Sequence, residues 1–238
     1  MENLTFPREI SLCLSGGGAR GAYHLGALSV LEENAISIQA ISGTSIGALI
    51  GAAFASGKSA EEIFEIFCSK EMRKIFHFAY SLSHIFEIDA NAEVLERLIN
   101  KESFEELSIA LSVAVFDVKR QKLHHINAGA DLKKYVLASC ALVPVFKAVE
   151  HKDMLLIDGG IVDNFPLEQL QKFPHPIVGI NLYPPSQNTP KSIFGWIKKV
   201  VYLSWQTPNQ TKQNLCHTYI SSQNLHTIGT LSLKDMKK

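Results

Sequence analysis

Ser45 stands in Gly43-Thr44-Ser45-Ile46-Gly47, the G-x-S-x-G spacing of a nucleophile elbow. Such a turn holds a serine at a sharp strand-to-helix junction and lifts its hydroxyl clear of the backbone. Upstream, Gly16-Gly17-Gly18-Ala19-Arg20-Gly21 could converge successive backbone N–H groups on an anion. There Arg20 is a fixed charge that either pins the loop or faces the anion. Attack on a carbonyl needs both parts, a nucleophile and somewhere for negative charge to go. Each part has a competing reading. Ser45 could simply cap the helix that follows. Gly16, Gly18 and Gly21 also fit a dinucleotide-binding turn, but the strand ending Ile41-Ser42-Gly43 offers no carboxylate for a ribose hydroxyl. A Walker P-loop fails outright, because no Gly-Lys-Ser/Thr follows.

A serine also needs a base. His175, His217 and His226 follow Asp158 in the chain, but none has a motif-like setting, and His124-His125 reads as a surface pair within a strand. Asp158-Gly159-Gly160 is the better candidate: an Asp where a strand ends, followed by glycines that allow a tight turn. The plain alternative is an ordinary Asp-Gly turn.

Strands are expected at 10–15, 38–42, 109–116, 122–127, 154–157, 177–182 and 218–221. Helices are expected at 22–33, 46–56, 92–99, 131–140, 166–172 and 193–205, with Ser59 and Glu62 as a capping box for another through Phe67. Residues 70–90 show no clear period, and Lys119-Arg120-Gln121 suits a hairpin turn. Strands alternating with helices imply a largely parallel sheet covered on both faces, in one domain over 1–238 with its core at about 8–222. If 10–15 and 38–42 form a parallel β-α-β pair, both glycine turns emerge at the same sheet edge, where ligands bind in open α/β sheets.

Composition fits a globular enzyme: 46% of the 238 residues are apolar and 19% charged, with 23 basic against 23 acidic side chains. That balance gives no reason to expect a nucleic acid partner. Cys13, Cys68, Cys140 and Cys216 lie far apart without metal-ligand spacing and read as buried thiols in a reducing compartment. The start of the chain lacks the pattern of a secretory leader, and no apolar run reaches the ~20 residues of a membrane span. A cytoplasmic protein is expected, with peripheral contact at the inner membrane face left open, as is oligomerisation. The apolar segment 193–205, with Lys198 and Lys199, could lie on lipid, border an acyl pocket, or pack on a core or subunit.

Taken together, these motifs resemble the patatin-like phospholipase family. Its glycine loop is similar to Gly16–Gly21, its elbow to Gly43–Gly47, and its D-G-[GA] to Asp158–Gly160. Further similarity lies in Ala138-Ser139-Cys140-Ala141 with Phe146, in Asp163-Asn164-Phe165-Pro166-Leu167, and in Ser103–Asp117. One departure is Val143, where the family usually has proline; here Pro144 comes one residue later. The resemblance implies a three-layer α/β/α fold with a central, mostly parallel sheet. It implies lipid acyl hydrolysis by a Ser45–Asp158 dyad without histidine, through an acyl-enzyme. The oxyanion hole would then draw on Gly16, Gly17, Gly18 and Arg20, with Gly21, Gly43, Gly47, Gly159 and Gly160 supporting the motifs. The implied substrate is a lipid or other acyl ester, and neither a metal nor a cofactor is called for. The rival reading is a non-catalytic regulatory or acyl-binding protein on the same fold.

Overall fold

Alternation in β1 (Glu9–Leu14) sends Ile10, Leu12 and Leu14 to one side of a sheet and Cys13 to the other, and all four are buried. The structure is a computed structural model describing residues 6–228, apart from 75, 80, 82, 90 and 91. After β1 come α1 (Ala22–Glu33), β2 (Ser37–Gly43), α2 (Ile46–Ala55), α3 (Ala60–Cys68) and α4 (Lys70–Lys74). The middle of the chain forms β3 (Phe76–Phe78), β4 (Phe86–Ile88), α5 (Glu93–Leu98), β5 (Ala110–Asp117), β6 (Lys122–Ile126) and α6 (Leu132–Ser139). It closes with β7 (Val149–His151), β8 (Met154–Asp158), β9 (Ile177–Ile180), α7 (Ile193–Thr211) and β10 (Thr218–Ile220).

The main sheet runs β10-β9-β1-β2-β5-β8-β7, with β6 also on β5, and β3 with β4 makes a separate two-stranded sheet. Pairs from β10 through β5 are parallel, while β6, β7 and β8 join antiparallel. A mostly parallel sheet between helical layers gives the expected three-layer α/β/α architecture.

The larger core lies under α1, α2, α3, α5 and α6. Helix α2 carries alanine, glycine and large aliphatics on every side and is buried over almost its whole length. Helix α3 starts at the capping box: Ser59 Oγ accepts from Glu62 N at 3.2 Å, and Glu62 Oε2 from Ser59 N at 2.8 Å. The opposite face is covered more thinly by Phe165, Leu167 and Leu170. The expected helix over 166–172 is instead a 3-10 turn, Leu167–Leu170, and the last helix runs on to Thr211.

One departure from parallel order builds the site. Val113 pairs with Gly43 of β2 and with Ile126 of β6, so β2 and β6 occupy opposite edges of β5. Further along, Val115–Asp117 pair with β6 and with β8. Strands β2 and β8 therefore share one edge of β5, end to end. Their carboxyl ends face each other across Ala114: β2 stops opposite Val113 and β8 stops at Asp158 opposite Val115.

Candidate active site

Ser45 follows the end of β2 with φ 54° and ψ −126°, a left-handed conformation that costs energy in a non-glycine residue. It is the residue before α2, yet its hydroxyl makes no capping bond to that helix. The hydroxyl lies instead beside the Asp158 carboxyl, close enough to pull that group's pKa down. What holds the strained turn is the backbone. Ser45 N donates to Ser139 Oγ at 2.9 Å, and Ser139 Oγ donates to the Ala114 carbonyl at 2.7 Å. A buried serine at the end of α6 thus fills the gap between the facing strand ends.

Packing leaves no room for side chains at the turns. A Cβ on Gly47 would come within 2.3 Å of the Leu14 carbonyl oxygen, and one on Gly43 within 2.6 Å of Gly47 itself. Beyond β8, a Cβ on Gly159 would lie 2.6 Å from the Ala114 backbone. The elbow is clamped from outside as well, since Thr44 Oγ1 donates to Asp163 O at 2.9 Å.

Asp158 is buried and accepts a 2.7 Å bond from Gly160 N. Burial raises its pKa to about 6, against the opposing pull of the Gly160 and Ser45 hydrogen bonds. A carboxylate with that value is a better proton acceptor near neutrality than a free Asp.

The glycine loop adjoins the elbow: Gly16 faces the Ser45 Cβ, and Gly21 faces the Ile46 side chain. Its amides are not equivalent. Gly16 N donates to Asn164 O at 3.1 Å, so that N–H is engaged and unavailable to an oxyanion. The N–H groups of Gly17 and Gly18 have no acceptor among the described residues. Below the loop, buried His24 donates from Nε2 to Ser15 O at 2.8 Å, and burial lowers its pKa to about 4.

Of the two roles open to Arg20, the geometry shows the pin. Its guanidinium donates to Leu182 O and Ile228 O, both at 3.1 Å, and stacks over the rings of Tyr183 and Tyr202. It braces the loop from behind.

The histidines lie in other settings. His217 Nδ1 accepts from Ile177 N, His226 bonds Pro185 O, and His175 is 3.9 Å from Glu9. The expected surface pair is half-buried, with His125 3.5 Å from Asp163. Among the described residues no group of three His, Cys, Asp or Glu side chains could hold a metal ion. A groove of about 1540 Å³ lies on the outer side of α1, lined by residues such as Tyr23, Val30 and Phe64, and neither Ser45 nor Asp158 borders it.

The patatin-like phospholipase family profile matches residues 12–170, taking in both glycine turns and Asp158. The chain belongs to the patatin-like phospholipase family.

Among its relatives, patatin-like phospholipase domain-containing protein 6 of Homo sapiens is 29% identical over 167 residues, covering 67% of this chain and 12% of that protein. Neuropathy target esterase sws of Drosophila melanogaster is 32% identical over 168 residues, with the same coverage. The chain thus spans about an eighth of the length of these curated relatives. The crystal structure of VipD from Legionella pneumophila superposes with a TM-score of 0.58 at 15% identity, covering 93% of this chain and 58% of that one. That likeness concerns the patatin-like fold alone.

Ser139 and Asn164 fall within stretches the family shares, but their jobs were not legible from sequence. Ser139 acts through a non-local bond, and Asn164 through its backbone carbonyl.

Proposed function

We propose that this member of the patatin-like phospholipase family is a lipid acyl hydrolase working through a Ser45–Asp158 dyad. The observation that carries this reading is that Ser45 and the buried Asp158 carboxyl meet where the ends of β2 and β8 face each other. Asp158 takes the Ser45 proton as Oγ attacks the ester carbonyl. The oxyanion that forms meets the free N–H groups of Gly17 and Gly18. As the C–O bond breaks, Asp158 returns the proton to the departing alcohol, leaving the acyl group on Ser45. Water then attacks that acyl-enzyme with Asp158 again as base, releasing the carboxylic acid and restoring the serine. Gly16 and Arg20 act by holding the loop in shape.

The printed names of the relatives, a phospholipase and an esterase, support an ester of lipid character as substrate. Four free cysteines suit action in a reducing, cytoplasmic setting. Among the described residues no helix is long and apolar enough to cross a membrane.

The test is hydrolysis of an acyl-ester panel of graded chain length alongside intact phospholipids. Ser45→Ala and Asp158→Asn are each expected to lose at least about 10³-fold in turnover while still folding cooperatively. Wild-type protein inert on the whole panel would favour the non-catalytic acyl-binding reading. Near-normal turnover in either variant would sink the dyad.

A further inference from the structure

Helix α7 carries an apolar face that nothing among the described residues covers. Ile193 is 84% exposed, Phe194 65% and Val200 60%, and Trp196, Ile197 and Val201 are exposed beside them. Side chains of this size on one helix far exceed the scattered apolar residues of an ordinary surface. The inward side of the same helix is fixed to the site. Tyr202 packs edge-on and Trp205 at a tilt against Tyr183, and Tyr202 lies under the Arg20 guanidinium that braces the glycine loop. Asn209 donates to Asn181 Oδ1 at 2.8 Å. Helix α7 also packs beside the turn Gly159–Ile161 that follows Asp158, where Ile161 and Val162 are exposed too. Helix α7 thus carries its exposed apolar face while also touching the turn that follows Asp158.

Charge decides which occupant this surface fits. Between Glu168 and Asp235 the chain contains no acidic residue at all, while exposed Lys191 and Lys198 flank the face and Lys199 turns back to donate to Ser186 O. Lys198 reaches over the Phe194 ring at 4.5 Å, its ammonium remaining at the surface. Lysines beside a broad apolar face, with no carboxylate to repel phosphate, match an anionic lipid interface. A face made for a second copy of this chain has no need of that one-sided charge. We propose that α7 docks this protein onto anionic phospholipid bilayers, seating Ile193, Phe194, Ile197 and Val200 among the acyl chains and bringing the dyad side toward the lipid. The docking chemistry stands on α7 alone; its purpose rests on the acyl-hydrolase reading.

The experiment uses the full chain carrying Ser45→Ala, so that no lipid is consumed, and co-sedimentation with phosphatidylcholine vesicles with and without phosphatidylglycerol. Binding is expected on the phosphatidylglycerol vesicles, weaker on phosphatidylcholine alone, and reduced roughly tenfold or more by adding Ile197→Asp and Val200→Asp. With Ser45 restored, the Ile197→Asp/Val200→Asp protein is expected to hydrolyse a water-soluble short-chain ester at the wild-type rate and to lose activity on vesicles. Undiminished vesicle binding by the double variant overturns the proposal, as does equal binding to both kinds of vesicle. So does absence of vesicle binding in a protein that is dimeric by light scattering and becomes monomeric with Ile197→Asp/Val200→Asp. If wild-type protein hydrolyses no ester yet the Ser45→Ala protein still binds vesicles through α7, the catalytic reading fails and the docking surface stands.

Discussion

Asp158 carries two consequences at the scale of single residues. As the proposed base it must be ionised, so kcat/KM is expected to fall on the acid side with a midpoint near pH 6, read from a rate profile on a soluble ester. Its effect on stability has the opposite sense to that of a salt-bridged carboxylate. The folded state keeps the Asp158 proton up to about pH 6, whereas the unfolded chain loses it near 3.8. Folding is therefore least penalised by this group below about pH 4, and stability falls as pH rises through 6. Replacing the buried acid by its neutral isostere removes that loss. Asp158→Asn is expected to be more stable than wild type at pH 8, by on the order of 1–3 kcal/mol, with the difference vanishing by pH 4. A denaturation series across that range reads it out, and a gap that widens toward acid contradicts it. Ser139 belongs at the same scale. Ser139→Ala leaves Ser45 N–H and the Ala114 carbonyl without the bridging hydroxyl, so kcat is expected to drop about tenfold with KM little changed. Unaltered kcat would mean the elbow holds without that bridge.

At the scale of elements, what matters is that β8 runs against β5. An Asp at a strand end next to glycines predicts that its strand comes to the Ser45 edge; β8 does so antiparallel to β5, from the opposite direction to a parallel strand. Strand direction depends on non-local pairing, and Met154–Asp158 carries no local mark of it. The glycine turns were legible because their requirements are local: a Cβ at Gly47 or Gly159 meets backbone within a few ångströms. The capping box at Ser59 and the β5–β6 hairpin were legible for the same reason. In the hairpin, Asp117 accepts from Lys119 N at 3.0 Å and from Arg120 Nη1 at 2.8 Å. By contrast β3, β4 and β7 have three residues each, too short to display a period. Gly159→Ala tests the close approach of β8 to β5. Its methyl must push against the Ala114 backbone, so a loss of about 1–3 kcal/mol in thermal unfolding is expected, together with reduced turnover. Wild-type stability and rate in that variant would show that the strand ends have slack.

At the scale of the whole molecule, the sheet brings together parts that lie far apart in the chain. The glycine loop leaves β1, the elbow leaves β2, and Asp158 arrives on β8. Arg20 then ties the loop to Tyr202 of α7, so that helix and the glycine loop share one support. The segment 193–205 read as apolar in sequence, and the structure shows that only its inward side is used in packing. Whether an apolar helix is buried depends on what the rest of the chain brings to it, which no local pattern reports. All of this converges on one serine. The most direct test is a fluorophosphonate probe followed by peptide mass spectrometry. Rapid, stoichiometric labelling of Ser45 is predicted in the wild-type protein, with none in Ser45→Ala and labelling at least about 10²-fold slower in Asp158→Asn. A wild-type protein that stays unlabelled, or one labelled at another residue, would contradict the account.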